Sequence, residues 1–336
     1  MTVEITPLDP ATATEEDLAS YYDLRLAATH TDRPGSRPPS YDAVIRRLRT
    51  PLTIYGPVQY WAGRIDGKLV GLALLGLPEE ENTGIGFAEI QVHPEHRRRG
   101  VGSELLRAIV REVQGAGRTV VFAGGVPDPG PGWPWAAKRG FKEVERIVMQ
   151  SLTVATANRD NWRTEMASDY RPVRWLERTP DEIVESYAQA RHAIQDAPEN
   201  TGSLQQPDWT VERVRSAEAD YRSRNVEHRV VAAVHRSTGQ VAGLTEIEIR
   251  PGANVVMQMD TAVLGEHRGH QLGLAMKAEM LRWILDERPD TTRFDTTTNS
   301  RNDHMIKVNE ALGYELQNSM VNVEAETSTL AHTLNT

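Results

Sequence analysis

The sequence predicts an α+β fold, built as two tandem domains that each pair a mixed β-sheet with flanking helices. Three observations carry this prediction: the length of 336 residues, a motif that occurs once in each half, and an order of strand and helix patterns shared by both halves. A chain of this length suits two domains that each bury a core. We expect domains over residues 1–155 and 169–336, joined by a polar linker over residues 156–168.

The repeated motif is a basic loop that follows a strand. In each half an extended segment ends in valine, four residues intervene, and an arginine opens the loop, at Arg97 and at Arg268. These arginines lie 171 positions apart, and a second landmark, a glycine before an aromatic residue, recurs after 173 positions at Gly140 and Gly313. Two landmarks kept at nearly one offset indicate a duplicated domain, because chance matches would not preserve their spacing.

The other elements follow the same order in both halves. The first half opens with an extended segment, Val3–Leu8, and with a helix that Thr14 caps. The second half opens with Tyr170–Leu176 and with a helix that Thr179 caps. Each half then holds two strands joined by a tight turn, over Trp61–Leu77 and Arg229–Arg250. The basic loop, its helix and further strands complete a unit with a mixed sheet.

The loop of the first half is predicted to bind an anion. A helix that begins near Gly102 presents backbone N–H groups without helical partners, and its dipole adds positive potential. Glycine lets a phosphate approach the main chain, and guanidinium groups add charge. The string by itself also fits an ordinary capped surface helix, so both interpretations stay open at this point. The candidate ligands are Arg97, Arg98, Arg99, Gly100, Val101, Gly102 and Ser103.

The sequence of the loop in the second half predicts an anion site with an altered loop residue. Gln271 stands where the first loop has Gly100, and a side chain there either strains the backbone or covers the amides. We therefore expect one anion site per chain, in the first half. The residues of the second, weaker candidate site are Val263, Arg268, Gly269, His270 and Gly273.

Composition and motifs exclude several classes of protein. A net charge of −9, from 38 basic and 47 acidic residues, argues against nucleic-acid binding. The absence of cysteine removes disulfides, zinc–thiolate sites and cysteine nucleophiles. The pairs His93/His96 and His267/His270 lie among arginines without a third ligand, so we expect no metal. The apolar run over Val70–Leu77 is too short to span a membrane, and we expect a cytoplasmic protein.

The string from Val92 to Gly102 resembles the central motif of the GNAT superfamily of acyl-CoA-dependent N-acyltransferases. The segments around Gly140 and Gly313 resemble the last helix and strand of that family. The resemblance covers both halves, so the chain is similar to tandem, two-domain members. It implies a splayed sheet in each domain, acetyl-CoA as cofactor and a small-molecule amine as substrate, with the oligomeric state left open.

The resemblance also implies where the cofactor lies. Its pyrophosphate would contact the loop over residues 97–103, and its pantetheine arm would run beside the end of the preceding strand, at Gln91 and Val92. In the second half, Asn302 occupies a position that often contacts the pantetheine in this family.

Amine acetylation requires a base, and two carboxylates occupy matching positions. Glu89 and Asp260 lie eight residues before Arg97 and Arg268, and we predict them as catalytic bases. Glu246 and Glu248, in the preceding strand of the second half, are the alternatives. A carboxylate on a strand also fits an outward, solvated position.

Neither half carries the tyrosine that serves as general acid in many family members. Ala136 and Asn309 stand at that position, four residues before Gly140 and Gly313. A thiol with a pKa near 8.5 leaves without full protonation, so the loss is compatible with catalysis. Two functions stay open: an N-acetyltransferase that works by direct attack in a ternary complex, or an acyl-CoA-binding regulatory or inert protein. In either case one half can serve as a scaffold.

Overall fold

The computed structural model describes residues 2–33, 38–51, 55–196 and 202–335. These residues form two compact units. Unit 1 contains residues 2–146, 202–205 and 319–335, and unit 2 contains residues 147–196 and 206–318. Each unit combines a mixed sheet with helices, as the sequence predicts.

Unit 1 has the strand order β1-β2-β3-β4-β5-β12. Neighbouring residues of the central strands alternate between its two faces: Ala73 and Leu75 join the core under the basic helix, and Leu72 and Leu74 join the core under the first two helices. The elements of this unit are β1 (Glu4–Pro7), α1 (Glu15–Asp32), α2 (Tyr41–Arg49), β2 (Val58–Ile65), β3 (Lys68–Gly76), β4 (Ile85–Val92), α3 (Val101–Gly115), β5 (Val120–Asp128), α4 (Gly132–Ala137), β12 (Glu315–Glu326) and α9 (Thr327–Asn335).

Unit 2 repeats this arrangement with the strand order β6-β11-β10-β9-β8-β7. Its basic helix buries an apolar face that includes Met276, Leu281 and Ile284. The elements of this unit are β6 (Lys142–Thr153), β7 (Tyr170–Leu176), α5 (Val184–His192), α6 (Val211–Ser223), β8 (Glu227–His235), β9 (Val241–Ile249), β10 (Val255–Val263), α7 (Leu272–Glu287), β11 (Arg293–Asn299) and α8 (Asp303–Leu312).

The last strand of each sheet comes from the other half of the sequence. In unit 1, β12 pairs antiparallel with β5, from Ser319 opposite Asp128 to Glu326 opposite Val120. In unit 2, residues 147–153 of β6 pair antiparallel with β11. Helix α9 then packs on α3, and the Arg107 guanidinium donates to the Leu334 carbonyl at 2.6 Å. The predicted contiguous boundaries at 155 and 169 therefore differ from the grouping in space, because strand pairing is not local.

Two local predictions also differ from the structure. The expected linker contains a 3-10 turn, Arg159–Trp162, whose Trp162 is buried and donates through Nε1 to the Leu312 carbonyl at 2.9 Å. The prediction that Thr179 caps a helix was wrong, since α5 begins only at Val184 and has no side-chain cap. Instead the Thr179 backbone N–H donates to the Glu218 carboxylate at 2.7 Å.

The exchange of strands predicts how fragments behave. We expect a fragment of residues 1–155 to lack a cooperative unfolding transition, because it leaves the edge of β5 open and removes the core side chains of β12 and α9. Appending residues 319–336 after residue 146, through a flexible linker, is expected to restore that transition. Circular dichroism during thermal unfolding measures both. Cooperative unfolding of both fragments at one temperature would contradict the role assigned to β12.

Candidate active site

The sheet of unit 1 opens between two parallel strands. β4 pairs with β5 only over Ile85–Phe87. Beyond Phe87, β4 continues to Val92 against β3, whereas β5 continues to Asp128 against β12. Among the described residues, β4 therefore has no strand partner on the β5 side beyond Phe87, and apart from the Val92 carbonyl, which accepts from Nε of Arg97, its backbone there is available to hydrogen-bond an extended ligand.

Unit 2 opens at the corresponding place. β10 pairs with β11 only over Val255–Gln258, and then continues to Val263 against β9. Its pairing with β9 shifts register between Gln258 and Thr261, which is a bulge of the kind that bends a strand away from its neighbour. The splayed sheet that the family resemblance implies is present in both units.

The basic loop of unit 1 lies at the mouth of this opening. Two of its residues adopt left-handed backbone conformations, Arg98 with φ of 62° and Gly100 with φ of 88°. Gly100 is the N-cap of α3, so the amides of the first helical turn lie next to it. The Arg98 side chain is exposed. The Ser103 hydroxyl accepts a hydrogen bond from the Arg139 guanidinium at 2.7 Å. This is a cationic helix N-terminus suited to an anion.

Gly102 lies against a side chain of its own unit. A Cβ built at Gly102 would lie 3.3 Å from the Trp135 ring and 3.7 Å from Val92. The predicted reason for a glycine here was room for a phosphate, and the structure adds the close approach of Trp135.

Arg97 has a different place from the one predicted for it. Its guanidinium forms a bidentate ion pair with Asp32, at 2.7 Å for each nitrogen, and its Nε donates to the Val92 carbonyl at 3.1 Å. In unit 2 the Nε of Arg268 donates to the Val263 carbonyl at 3.2 Å. The arginine that opens each motif therefore ties the loop to the end of its strand. Asp32 gives no sequence signal for this pairing, because it lies 65 residues away.

The loop of unit 2 has the same backbone conformation as the loop of unit 1. Gly269, with φ of 84°, corresponds to Arg98, and Gln271, with φ of 55°, corresponds to Gly100. Each loop thus holds one glycine and one other residue in the left-handed region, in opposite order. Gln271 carries the strain expected of it, about 1–2 kcal/mol, but Arg98 carries the same strain in unit 1. The two loops differ in side chains and not in backbone course.

The remaining predicted residues of this second loop lie at the start of α7. Gly273 is in the first turn, where an added Cβ would contact Thr261 at 3.9 Å. His270 is exposed, and its ring lies 5.6 Å from that of Tyr170.

Glu89 lies on the open part of β4. Its Oε1 accepts a hydrogen bond from the Tyr55 hydroxyl at 2.6 Å and lies 3.4 Å from Nη2 of Arg47. Its side chain is 35% exposed. Burial, together with the Glu89 charge, raises the pKa of Tyr55, which keeps this hydroxyl protonated as a donor. Sequence reasoning missed Arg47 and Tyr55, since neither belongs to a motif.

Asp260 holds the matching position in unit 2. Its Oδ2 lies 3.2 Å from Nη2 of Arg191, and 44% of its side chain is exposed. The surrounding protein removes water from the carboxyl and raises its pKa to about 6, with help from the Glu246 charge and against the Arg191 charge. A carboxylate with this pKa is deprotonated at pH 7 and is a better base than an ordinary aspartate.

Glu246, an alternative base in the sequence, is unsuited to that role. It is fully buried, and it pairs with Arg191 at 2.5 Å and accepts from Tyr187 at 2.6 Å. Burial alone would raise its pKa, but Arg191 and His228 outweigh burial and hold the pKa at about 2. Its partners occupy the carboxylate, so Glu246 orients Arg191 instead. Glu248 lies beside Tyr221.

The positions of the absent tyrosine acid are both inside the protein. Ala136 is buried in the core of unit 1. Asn309 is fully buried, and its Nδ2 donates to Oε1 of Gln150 at 2.8 Å. Asn302 is the N-cap of α8 and accepts from the Met305 amide at 3.1 Å. In these positions Asn309 and Asn302 organise α8.

Within the described ranges, no group of three or more His, Cys, Asp or Glu side chains is placed to hold a metal ion. Among the same residues, no helix is both long and apolar enough to cross a membrane.

Comparison with known proteins relates the chain to one family. The model of the acetyltransferase (GNAT) family matches residues 20–141, which lie in unit 1. The chain is 31% identical over 134 residues to the mycothiol acetyltransferase of Parafrankia sp., a match that covers 40% of this chain and 38% of that protein. It is 38% identical over 133 residues to the mycothiol acetyltransferase of Kineococcus radiotolerans, covering 39% and 41%. The chain thus spans about two fifths of the length of these relatives.

Solved structures resemble the whole chain. A tandem GNAT protein from the clavulanic acid biosynthesis pathway superposes with a TM-score of 0.77 and 26% identity, and covers 97% of this chain and 99% of its own. A GCN5-related N-acetyltransferase from Sphaerobacter thermophilus superposes with a TM-score of 0.74 and 16% identity, covering 97% and 96%. At 16% identity, the similarity to the Sphaerobacter thermophilus structure shows the fold alone.

Proposed function

We propose that this chain, a tandem protein of the GNAT acetyltransferase family, transfers the acetyl group of acetyl-CoA to a primary amine of a small molecule. The observation that carries the proposal is the opening of the unit 1 sheet after Phe87, directly beside a cationic helix N-terminus. The names of the related mycothiol acetyltransferases support acetyl transfer.

The residues of unit 1 fit this cofactor. The backbone of residues 88–91, which has no strand partner on the β5 side, suits the amide groups of a pantetheine arm, and the amides at Gly100–Gly102 with Arg98 suit a pyrophosphate. Bound there, acetyl-CoA supplies a thioester carbonyl for attack. Arg97 acts by holding the loop to the strand through Asp32 and the Val92 carbonyl.

Acetyl transfer to an amine requires a base and a hydrogen-bond donor that stabilises the oxyanion. Glu89 accepts a proton from the attacking amine, the new C–N bond forms, and the C–S bond breaks with release of a thiolate. A backbone N–H on the open side of β4 donates to the developing oxyanion. Tyr55 and Arg47 keep the Glu89 carboxylate in place, through contacts of 2.6 and 3.4 Å.

Unit 2 is a second candidate for the reaction, and one observation favours it. Asp260 combines exposure with a pKa of about 6, and the opening after Gln258 repeats that of unit 1. We place the cofactor in unit 1, because the Gln271 side chain projects from the position that Gly100 leaves open, and we expect one bound molecule per chain. Calorimetric titration of the full chain with acetyl-CoA, in wild type and in Gln271→Gly, tests this: two equivalent sites in wild type would contradict it.

Transfer itself is tested with radiolabelled acetyl-CoA and a mixed panel of small amines. We expect labelled acetylated amine and free CoA to appear in equal amounts. Tight binding of acetyl-CoA without transfer to any amine would instead assign a regulatory, non-catalytic role.

Gly102→Val is expected to weaken acetyl-CoA binding more than Arg98→Ala does. The valine side chain enters the space beside Trp135 and the loop amides, whereas Arg98→Ala removes one exposed, screened charge. Calorimetry gives the affinities, and thermal unfolding checks that each variant is folded. If Gly102→Val and wild type bound acetyl-CoA with equal affinity, the result would show that the cofactor does not bind at this loop.

A further inference from the structure

A recess on one face of the unit 1 sheet adjoins the open part of β4. Glu89 and Gln91 lie opposite Leu74 and Leu72 on β3, on the face that α1 and α2 cover. The polar side chains that line the recess are Tyr21, Arg25, Arg47, Tyr60, Glu89 and Gln91. Since Glu89 is the proposed base, this recess is where the amine substrate would lie.

The recess carries more positive than negative charge. Two guanidinium groups, of Arg25 and Arg47, face one carboxylate, that of Glu89. Arg33 is close enough to add to this potential: burial lowers its pKa, and the charge of Arg25 lowers it further. The nearby carboxylate of Asp32 is held in its bidentate pair with Arg97. A carboxylate on the ligand therefore offsets one of the two guanidinium charges and leaves Glu89 to the amine.

Two buried atoms of the recess define the hydrogen bonds that this ligand makes. Nη1 of Arg47 and Oε1 of Gln91 are buried and have no hydrogen-bond partner among the described residues. The first requires an acceptor and the second requires a donor. Because both atoms line one recess, they offer one donor and one acceptor to a ligand bound there.

We infer that the substrate of unit 1 is an amine with a carboxylate close to its nitrogen, as in an α-amino acid. This inference rests on the proposed function. The carboxylate lies on Nη1 of Arg47 and near Arg25, and the amine donates to Gln91 and to Glu89. Nη2 of the same guanidinium contacts Glu89, so the carboxylate on Nη1 and the amine on Glu89 lie close together. That geometry suits a carboxylate and an amine separated by a single carbon.

Matched sets of substrates test the inference on the full chain. Each proteinogenic amino acid is offered beside its amide and its decarboxylated amine, for example leucine, leucinamide and 3-methylbutylamine, with acetyl-CoA in excess. We expect kcat/KM for at least one amino acid to exceed that of its amide and amine by about tenfold or more, the effect of one charge-assisted hydrogen bond.

Arg47→Gln supplies the second measurement. We expect the KM for the preferred amino acid to rise by about tenfold or more, and the preference over its amide to disappear, while the KM for acetyl-CoA is unchanged. Arg46→Gln, at an exposed position on the same helix, is the matched control and is expected to keep wild-type constants.

The outcomes separate the inference from the proposed function. The inference is overturned if amines are acetylated with no preference for a carboxylate, or if the preference survives in Arg47→Gln. Neither result contradicts the proposed acetyltransferase activity. Transfer to no amine of the panel overturns the acetyltransferase and, with it, the inference.

Discussion

Replacing Glu89 by glutamine is expected to lower kcat by about 10²- to 10³-fold, the usual contribution of a general base. Glutamine keeps an oxygen that accepts from the Tyr55 hydroxyl at this place, so the side chain stays oriented while its basicity is lost. Steady-state kinetics with the preferred amine give kcat, and the affinity for acetyl-CoA is expected to stay within about twofold of wild type, since a base acts in the chemical step.

Asp260→Asn is the matched control, because the two carboxylates hold equivalent positions in the two units. If unit 1 carries the reaction, this variant keeps most of its activity. The reverse pattern, with loss in Asp260→Asn and retention in Glu89→Gln, would move the reaction to unit 2. In that case kcat/KM should rise with pH, with a midpoint near pH 6. Asp260 must lose its proton to act as base, and its pKa is about 6.

Lys277→Leu is expected to stabilise the protein at pH 6 by on the order of a few kcal/mol. Lys277 is fully buried in α7, at the position where the first copy of the motif has the core residue Leu106. Burial lowers the pKa of Lys277 from 10.5 to about 7. Leucine has a similar volume and removes the cost of burying the ammonium group.

The effect depends on pH in a defined direction. Below pH 7 the lysine is protonated in both the folded and the unfolded chain, so the folded state bears the full cost of a buried charge. Between pH 7 and 10.5 only the unfolded chain holds the proton, and the stability of wild type rises relative to the variant. Above that range the advantage of Lys277→Leu disappears.

Urea unfolding of both proteins from pH 6 to 10 measures this difference. Lys307→Met, at an exposed site on α8, is the control and is expected to change stability by less than about 0.5 kcal/mol at every pH. Lower stability of Lys277→Leu than of wild type at pH 6 would show that the ammonium group is stabilised in the folded state.

Much of the fold could be predicted from the sequence because its signals are local. The extended segment Val3–Leu8, the helix that Thr14 caps and the tight turn within Trp61–Leu77 depend on neighbours a few positions apart. Each half repeats these signals at one offset, so the duplication was readable as well. The same offset placed Glu89 and Asp260 on equivalent strands, and the structure has both on the open parts of β4 and β10.

The tertiary structure alone decided what depends on distant parts of the chain. Nothing local to β12 distinguishes pairing with β5 from pairing with β11, so the exchange of last strands could not be predicted. The bond of Arg97 to Asp32 and the convergence of Arg25 and Arg47 on Glu89 join segments tens of residues apart. Sequence patterns indicate which face of a helix or strand a residue occupies. Tertiary packing determines which residues contact that face. The charge of the recess, and hence the chemistry of its ligand, follows from that packing.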